Sequence, residues 1–66
     1  MNQILKLRKE KKLTQKQLAK LVHMSEDQLG RRERGEVPLT DDDIRVLSNA
    51  LNCSFEDILG EKHGPK

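Results

Sequence analysis

At 66 residues the chain has room for one domain, and a domain this small buries only about 60% of the surface its unfolded form exposes, so tight packing or a partner subunit must stabilise it. With 33% hydrophobic residues, one Phe, no Trp or Tyr and a single Cys, the composition excludes an aromatic core and an internal disulfide; no apolar run approaches the ~20 residues of a membrane span, nor follows the basic start as a secretion signal would. The net charge of +2 hides an asymmetry, because residues 1–24 carry seven Lys/Arg against one Glu while residues 25–66 carry six against ten Asp/Glu.

Five helical segments are predicted, at 2–11, 14–22, 25–33, 40–51 and 55–60, joined by loops too short to be linkers. The expected fold is therefore all-α and compact, one domain over residues 1–60, with 61–66 as a flexible tail. The core is expected from Ile4, Leu7, Leu13, Leu18, Val22, Met24, Leu29, Val37, Ile44, Leu47, Leu51, Phe55, Ile58 and Leu59. The first helix carries the basic run Lys6, Arg8, Lys9, Lys11 and Lys12, continued by Lys16 and Lys20. Such a run is either a solvated face or a positive field for a polyanion.

Residues 13–35 hold the densest signal, two short helical patterns separated by about four residues, the spacing of a helix-turn-helix. Thr14 with Gln17 three residues on is a capping box that starts a helix. Leu18, Leu21 and Val22 fall on one apolar face, and Ala19 is small enough for a second helix to cross closely. Ser25 caps the next helix, in which Leu29 faces inward while Glu26, Asp27, Gln28 and Arg31 face outward, within reach of a groove; Gly35 stops it. Gly30 inside this helix costs about 0.5–1 kcal/mol relative to Ala and should soften it.

The fourth helix has Pro38 ahead of it, Thr40 as cap and Asp41, Asp42 and Asp43 in a first turn where negative charge meets the positive end of the helix dipole. These carboxylates are consecutive and lack the alternating spacing of a calcium loop, so no metal is expected. Ser54 caps the last helix, with Glu56 and Asp57 in its first turn and Gly60 after it. Cys53 with His23 and His63 offers neither metal-ligand spacing nor a nucleophile with its base. No enzyme activity, cofactor or small-molecule substrate is expected.

Arg8, Leu13-Thr14-Gln15, Leu18-Ala19, Ser25, Leu29, Glu33-Arg34-Gly35, Ala50-Leu51 and the run Ser54 to Leu59 together resemble the XRE-type helix-turn-helix family, the class of the lambda repressor and Cro, in order and spacing over residues 3–59. The resemblance implies a five-helix DNA-binding domain in which Arg8 pairs with Glu33 to lock the reading helix to the scaffold. It implies that Gln15 holds a DNA phosphate, with Lys16, Arg34 and Lys12 adding charge there, and that Glu26, Asp27, Gln28 and Arg31 occupy the base-reading positions. Arg31 could take guanine, Gln28 adenine, and an acid could accept from cytosine N4.

The chain departs from the family pattern at three places. Glu26 and Asp27 bring negative charge toward phosphates, and their simpler reading is dipole-favourable charge on a surface helix. Arg32 stands where the family buries an apolar residue, so its stem must cover the core while its head reaches water or a carboxylate, weakening the packing. His23 replaces a turn glycine and is read as a left-handed turn residue, with Met24 behind it as an apolar staple.

The function expected is a sequence-specific transcriptional regulator of double-stranded DNA, a repressor acting as a homodimer in the cytoplasm, with phage, restriction-modification and antitoxin contexts all compatible. The alternative is a protein-interaction module on the same fold, such as an antitoxin or adaptor, binding through the reading face or through apolar residues near Leu39, Leu51 and Ile58.

Overall fold

Helix boundaries in this chain are written by its capping residues. In the computed structural model, which describes residues 2–60, five helices follow one another: α1 (Ile4–Glu10), α2 (Gln15–Leu21), α3 (Glu26–Glu33), α4 (Asp41–Leu51) and α5 (Phe55–Leu59). No strand is present among the described residues, and the expected tail at 61–66 lies outside them. Four of the five helices, α2 to α5, open with a complete capping box, in which Thr14, Ser25, Thr40 and Ser54 each accept from the backbone N–H three residues on while Gln17, Gln28, Asp43 and Asp57 reach back to the cap.

The helix ends are equally regular. After α1, α2, α3 and α4 a left-handed residue, respectively Lys12, His23, Gly35 and Asn52, is followed by an N–H that returns to the helix: Leu13 to the Arg8 carbonyl, Met24 to Ala19, Glu36 to Arg31 and Cys53 to Ser48. These are Schellman closures, which satisfy carbonyls the last turn leaves open. The φ values of Lys12, His23 and Asn52 lie between 54° and 59°, a region where a Cβ is disfavoured. Helix α1 begins later than the sequence suggests because Asn2 stays outside it, accepting from the Ile4 N–H at 3.0 Å and donating to the Arg32 carbonyl at 2.7 Å.

The core draws on every helix: Ile4 from α1, Leu18 from α2, Leu29 from α3, Leu47 and Leu51 from α4 and Ile58 from α5 are fully buried. The Gln3 N–H donates to the Ile58 carbonyl at 2.8 Å, joining the first helix to the last. Three expectations about the core are corrected. Phe55 is 46% exposed: it is the first residue after the Ser54 cap, one turn ahead of buried Ile58, and stands outside the core cluster. Leu21 is 55% exposed, because α2 buries Leu18, Ala19 and Val22, an arc centred on the flank of Leu18 away from Leu21. Val37 is half-buried and sits outside the core cluster.

Candidate nucleic-acid interface

The turn between α2 and α3 runs from Val22 to Ser25, with His23 in the left-handed position where its φ is 58°. Ala19 is buried, and the Met24 N–H closes on the Ala19 carbonyl at 2.9 Å, so the chain reverses tightly and α3 packs on α2. This fixes which residues of α3 point inward. Leu29 and Gly30 are buried, the Glu33 side chain is 5% exposed, and Glu26, Asp27, Gln28 and Arg31 all lie exposed on the opposite side.

The inner end of α3 is bolted to the scaffold by a buried polar cluster. Arg8 donates to Glu33 through Nε at 2.7 Å and Nη2 at 3.2 Å, and its Nη1 donates to the Leu13 carbonyl at 3.1 Å. Gln15 Nε2 donates to the same carboxylate at 3.2 Å, so α1, α2 and α3 meet at one acid. Among the described residues every buried side-chain nitrogen and oxygen has a partner, the condition under which a buried charge pair is tolerated. Gly30 is part of this arrangement: a Cβ there would stand 3.1 Å from Gln15 Nε2 and 3.2 Å from Arg34 Nη1. The glycine that looks from the sequence like a soft point is where Gln15 and Arg34 cross the helix closely.

Arg32 reaches a carboxylate rather than water. Its Nε donates to Asp43 Oδ2 at 3.1 Å and its Nη1 to the Gln28 carbonyl, and only 20% of the side chain is exposed. Asp43 Oδ2 also accepts from the Thr40 N–H, so one carboxylate caps α4 and ties it to α3. Burial disfavours the charged Asp43, but the Thr40 amide and Arg32 outweigh it and hold the carboxyl below its usual value. The anticipated packing defect is thus occupied by a cross-helix contact.

On the exposed face the side chains are partly engaged with one another. Arg31 Nε donates to Asp27 Oδ2 at 2.9 Å, one turn back on α3. Gln28 Oε1 accepts from the Ser25 N–H at 3.0 Å, which commits the acceptor half of its amide to the cap. Ser25 and Gln28 stand at the same spacing as Thr14 and Gln17, so this commitment was readable in the sequence and missed. Arg34, just past α3, donates from Nε to Glu36 at 2.6 Å, and that bond holds the Glu36 carboxyl below the usual carboxylate range. Gln15 is half-exposed at the start of α2 beside exposed Lys16, and Lys12 is exposed in the preceding turn. Lys12, Gln15 and Lys16 thus lie within five residues at the entry to α2, and Arg31 lies exposed on α3.

Leu51 and Ile58 are fully buried and Leu39 is half-buried, so of the three residues expected to mark an alternative apolar docking surface only Leu39 reaches solvent. The exposed large hydrophobic residues are Leu5, Leu21, Val46 and Phe55. Among the described residues no three His, Cys, Asp or Glu side chains come together as a metal site, and no helix is long and apolar enough to cross a membrane. A family model described as helix-turn-helix matches residues 4–58, nearly the whole described chain. No curated protein matches it.

Proposed function

The chain belongs to the XRE-type helix-turn-helix family, a family of DNA-binding regulators, and on that footing we propose that it is a sequence-specific repressor whose α3 enters the major groove. The observation that carries this reading is the division of α3 into an inner side locked by Arg8, Gln15 and Asp43 and an open side presenting Asp27, Gln28 and Arg31. A rigid mount with exposed, exchangeable side chains at its front is what direct readout of base edges requires. Lys12, Gln15 and Lys16 supply the phosphate contacts that set register, and Arg31 supplies a fork for guanine. Arg34 joins them when its bond to Glu36 exchanges for a phosphate.

The protein acts in this reading as a cytoplasmic homodimer, each copy placing one α3 in a half-site, the two half-sites about one helical turn apart. No enzymatic role is part of this reading, which is supported by His23 being a turn residue and by burial that pushes the Cys53 thiol up, away from the thiolate a nucleophile needs. A second reading, a protein-binding module, is favoured by the two acids at the front of α3 and by exposed Leu21 and Val46, which line a shallow depression with Ala50.

Fluorescence anisotropy with DNA from upstream of the protein's own coding region and with a scrambled duplex, each across a salt series, separates the two. Tight, sequence-dependent binding that weakens steeply with salt is expected, since each neutralised phosphate releases counterions. Absence of binding to both duplexes overturns the repressor reading in favour of a protein partner.

A further inference from the structure

Two acids stand in the first turn of α3, Glu26 and Asp27, and they differ in one respect. Asp27 holds the Nε of Arg31 at 2.9 Å, whereas no bond joins Glu26 to the guanidinium. A guanidinium has five N–H donors in a planar fork, and engaging Nε on one edge leaves the two terminal nitrogens as a parallel pair. That pair matches the O6 and N7 acceptors of guanine. Asp27 accepts through Oδ2 alone, so its other oxygen stays available to an exocyclic amine on a neighbouring base.

We propose that Asp27 is a specificity-determining residue: it positions Arg31 so that the terminal nitrogens meet guanine in place of a phosphate, and it repels the backbone enough to make wrong sites costly. This deepens the reading of α3 as the base-reading helix and rests on it. Both side chains are more than half exposed in the free protein, 54% for Arg31 and 70% for Asp27, so the pair biases the fork without freezing it. Entry into the groove removes water from around the pair and strengthens it. Other acceptors on this face are committed elsewhere: Gln28 Oε1 to the Ser25 N–H and Glu36 to Arg34. The remaining acid, Glu26, is a charge-matched control on the same turn.

The full chain is tested with a duplex pool randomised at its centre, the bound fraction being weighed and sequenced for wild type, D27N, E26Q, R31A and D27N/R31A. The wild-type protein is expected to enrich guanine at one position in each half-site. D27N should bind more total DNA and yet lose guanine preference there by roughly 5- to 150-fold, the range a bidentate contact provides. E26Q, which removes the same charge without touching the Arg31 pair, should also raise total binding and leave the guanine preference at the Arg31 position intact, whatever base Glu26 itself meets. In the R31A background D27N should leave base preference unchanged, because Asp27 acts through Arg31. If D27N and E26Q shift preference alike, or if D27N changes preference equally without Arg31, the positioning role is overturned while base reading by α3 stands. If wild type enriches no guanine that R31A removes, Arg31 does not read bases, and this inference falls with that reading.

Discussion

The two ends of α3 use the same chemistry, an arginine beside a carboxylate, to opposite ends. At the inner end Arg8 and Glu33 meet at 2.7 Å with side chains 11% and 5% exposed, and Gln15 and the Leu13 carbonyl complete the cluster. At the outer end Asp27 and Arg31 meet at 2.9 Å with side chains mostly in water. Distance alone does not separate these pairs; burial does. A buried pair, once formed, cannot lose one member without stranding a charge in a medium that solvates it poorly, whereas an exposed pair exchanges partners at little cost. The first suits a mount and the second suits a reader.

The sharpest way to break this contrast is to remove one acid from each end. Glu33→Ala should cost about 3–5 kcal/mol by stranding Arg8, enough to unfold much of a domain this size in thermal melting, whereas Asp27→Ala should stay within about 0.5 kcal/mol of wild type. Equal losses at the two ends would show that burial does not decide their roles. On the reading side, Arg31→Ala should weaken binding to the preferred duplex by about 1–3 kcal/mol and relax one base position, as read by anisotropy on matched and mismatched duplexes. Gln15→Ala should instead weaken all sequences alike.

Asp43 tests the mount by pH. Its folded pKa lies below its unfolded value, so the stabilisation it provides is complete above the unfolded pKa near 3.8 and is lost as pH falls through the folded one. Melting temperature followed down an acid series should drop less for Asp43→Asn than for wild type across that window. Arg32→Ala, which removes the Asp43 contact but leaves the Thr40 cap, should cost about 1–2 kcal/mol at neutral pH in chemical denaturation. A small gain is expected at the turn: His23→Gly relieves a left-handed Cβ and should raise stability by about 0.5–1 kcal/mol without altering base preference.

The starts of α2 to α5 were legible in the sequence because a cap and its partner lie three residues apart, as at Thr14 with Gln17, whereas the start of α1 was not, since Asn2 is held by the Arg32 carbonyl 30 residues away. The inward stripe of α2 was legible in period but not in centre: Leu18, Leu21 and Val22 read as one face, yet the crossing with α3 moves the buried arc toward Ala19 and leaves Leu21 outside. The Arg8 and Glu33 positions came from the family resemblance, since no spacing rule joins residues 25 apart. The destination of Arg32 was hidden for a similar reason, because Asp43 comes beside it only once the loop between α3 and α4 has folded. The Asp27 and Arg31 spacing is that of a helical ion pair and so is legible in the sequence, although each residue taken singly suggests only an acid facing phosphate and a fork for guanine.

The local closure of each helix has a kinetic consequence. Because caps and Schellman turns join residues only a few positions apart, both boundaries of α2, α3 and α4 can form before any distant segment arrives, at little cost in loop entropy. Chains of such low contact order fold in microseconds to milliseconds. Docking the two ends is different in kind, because the Gln3 amide and the Ile58 carbonyl that it meets stand far apart in the chain and their bond closes the longest loop of the bundle.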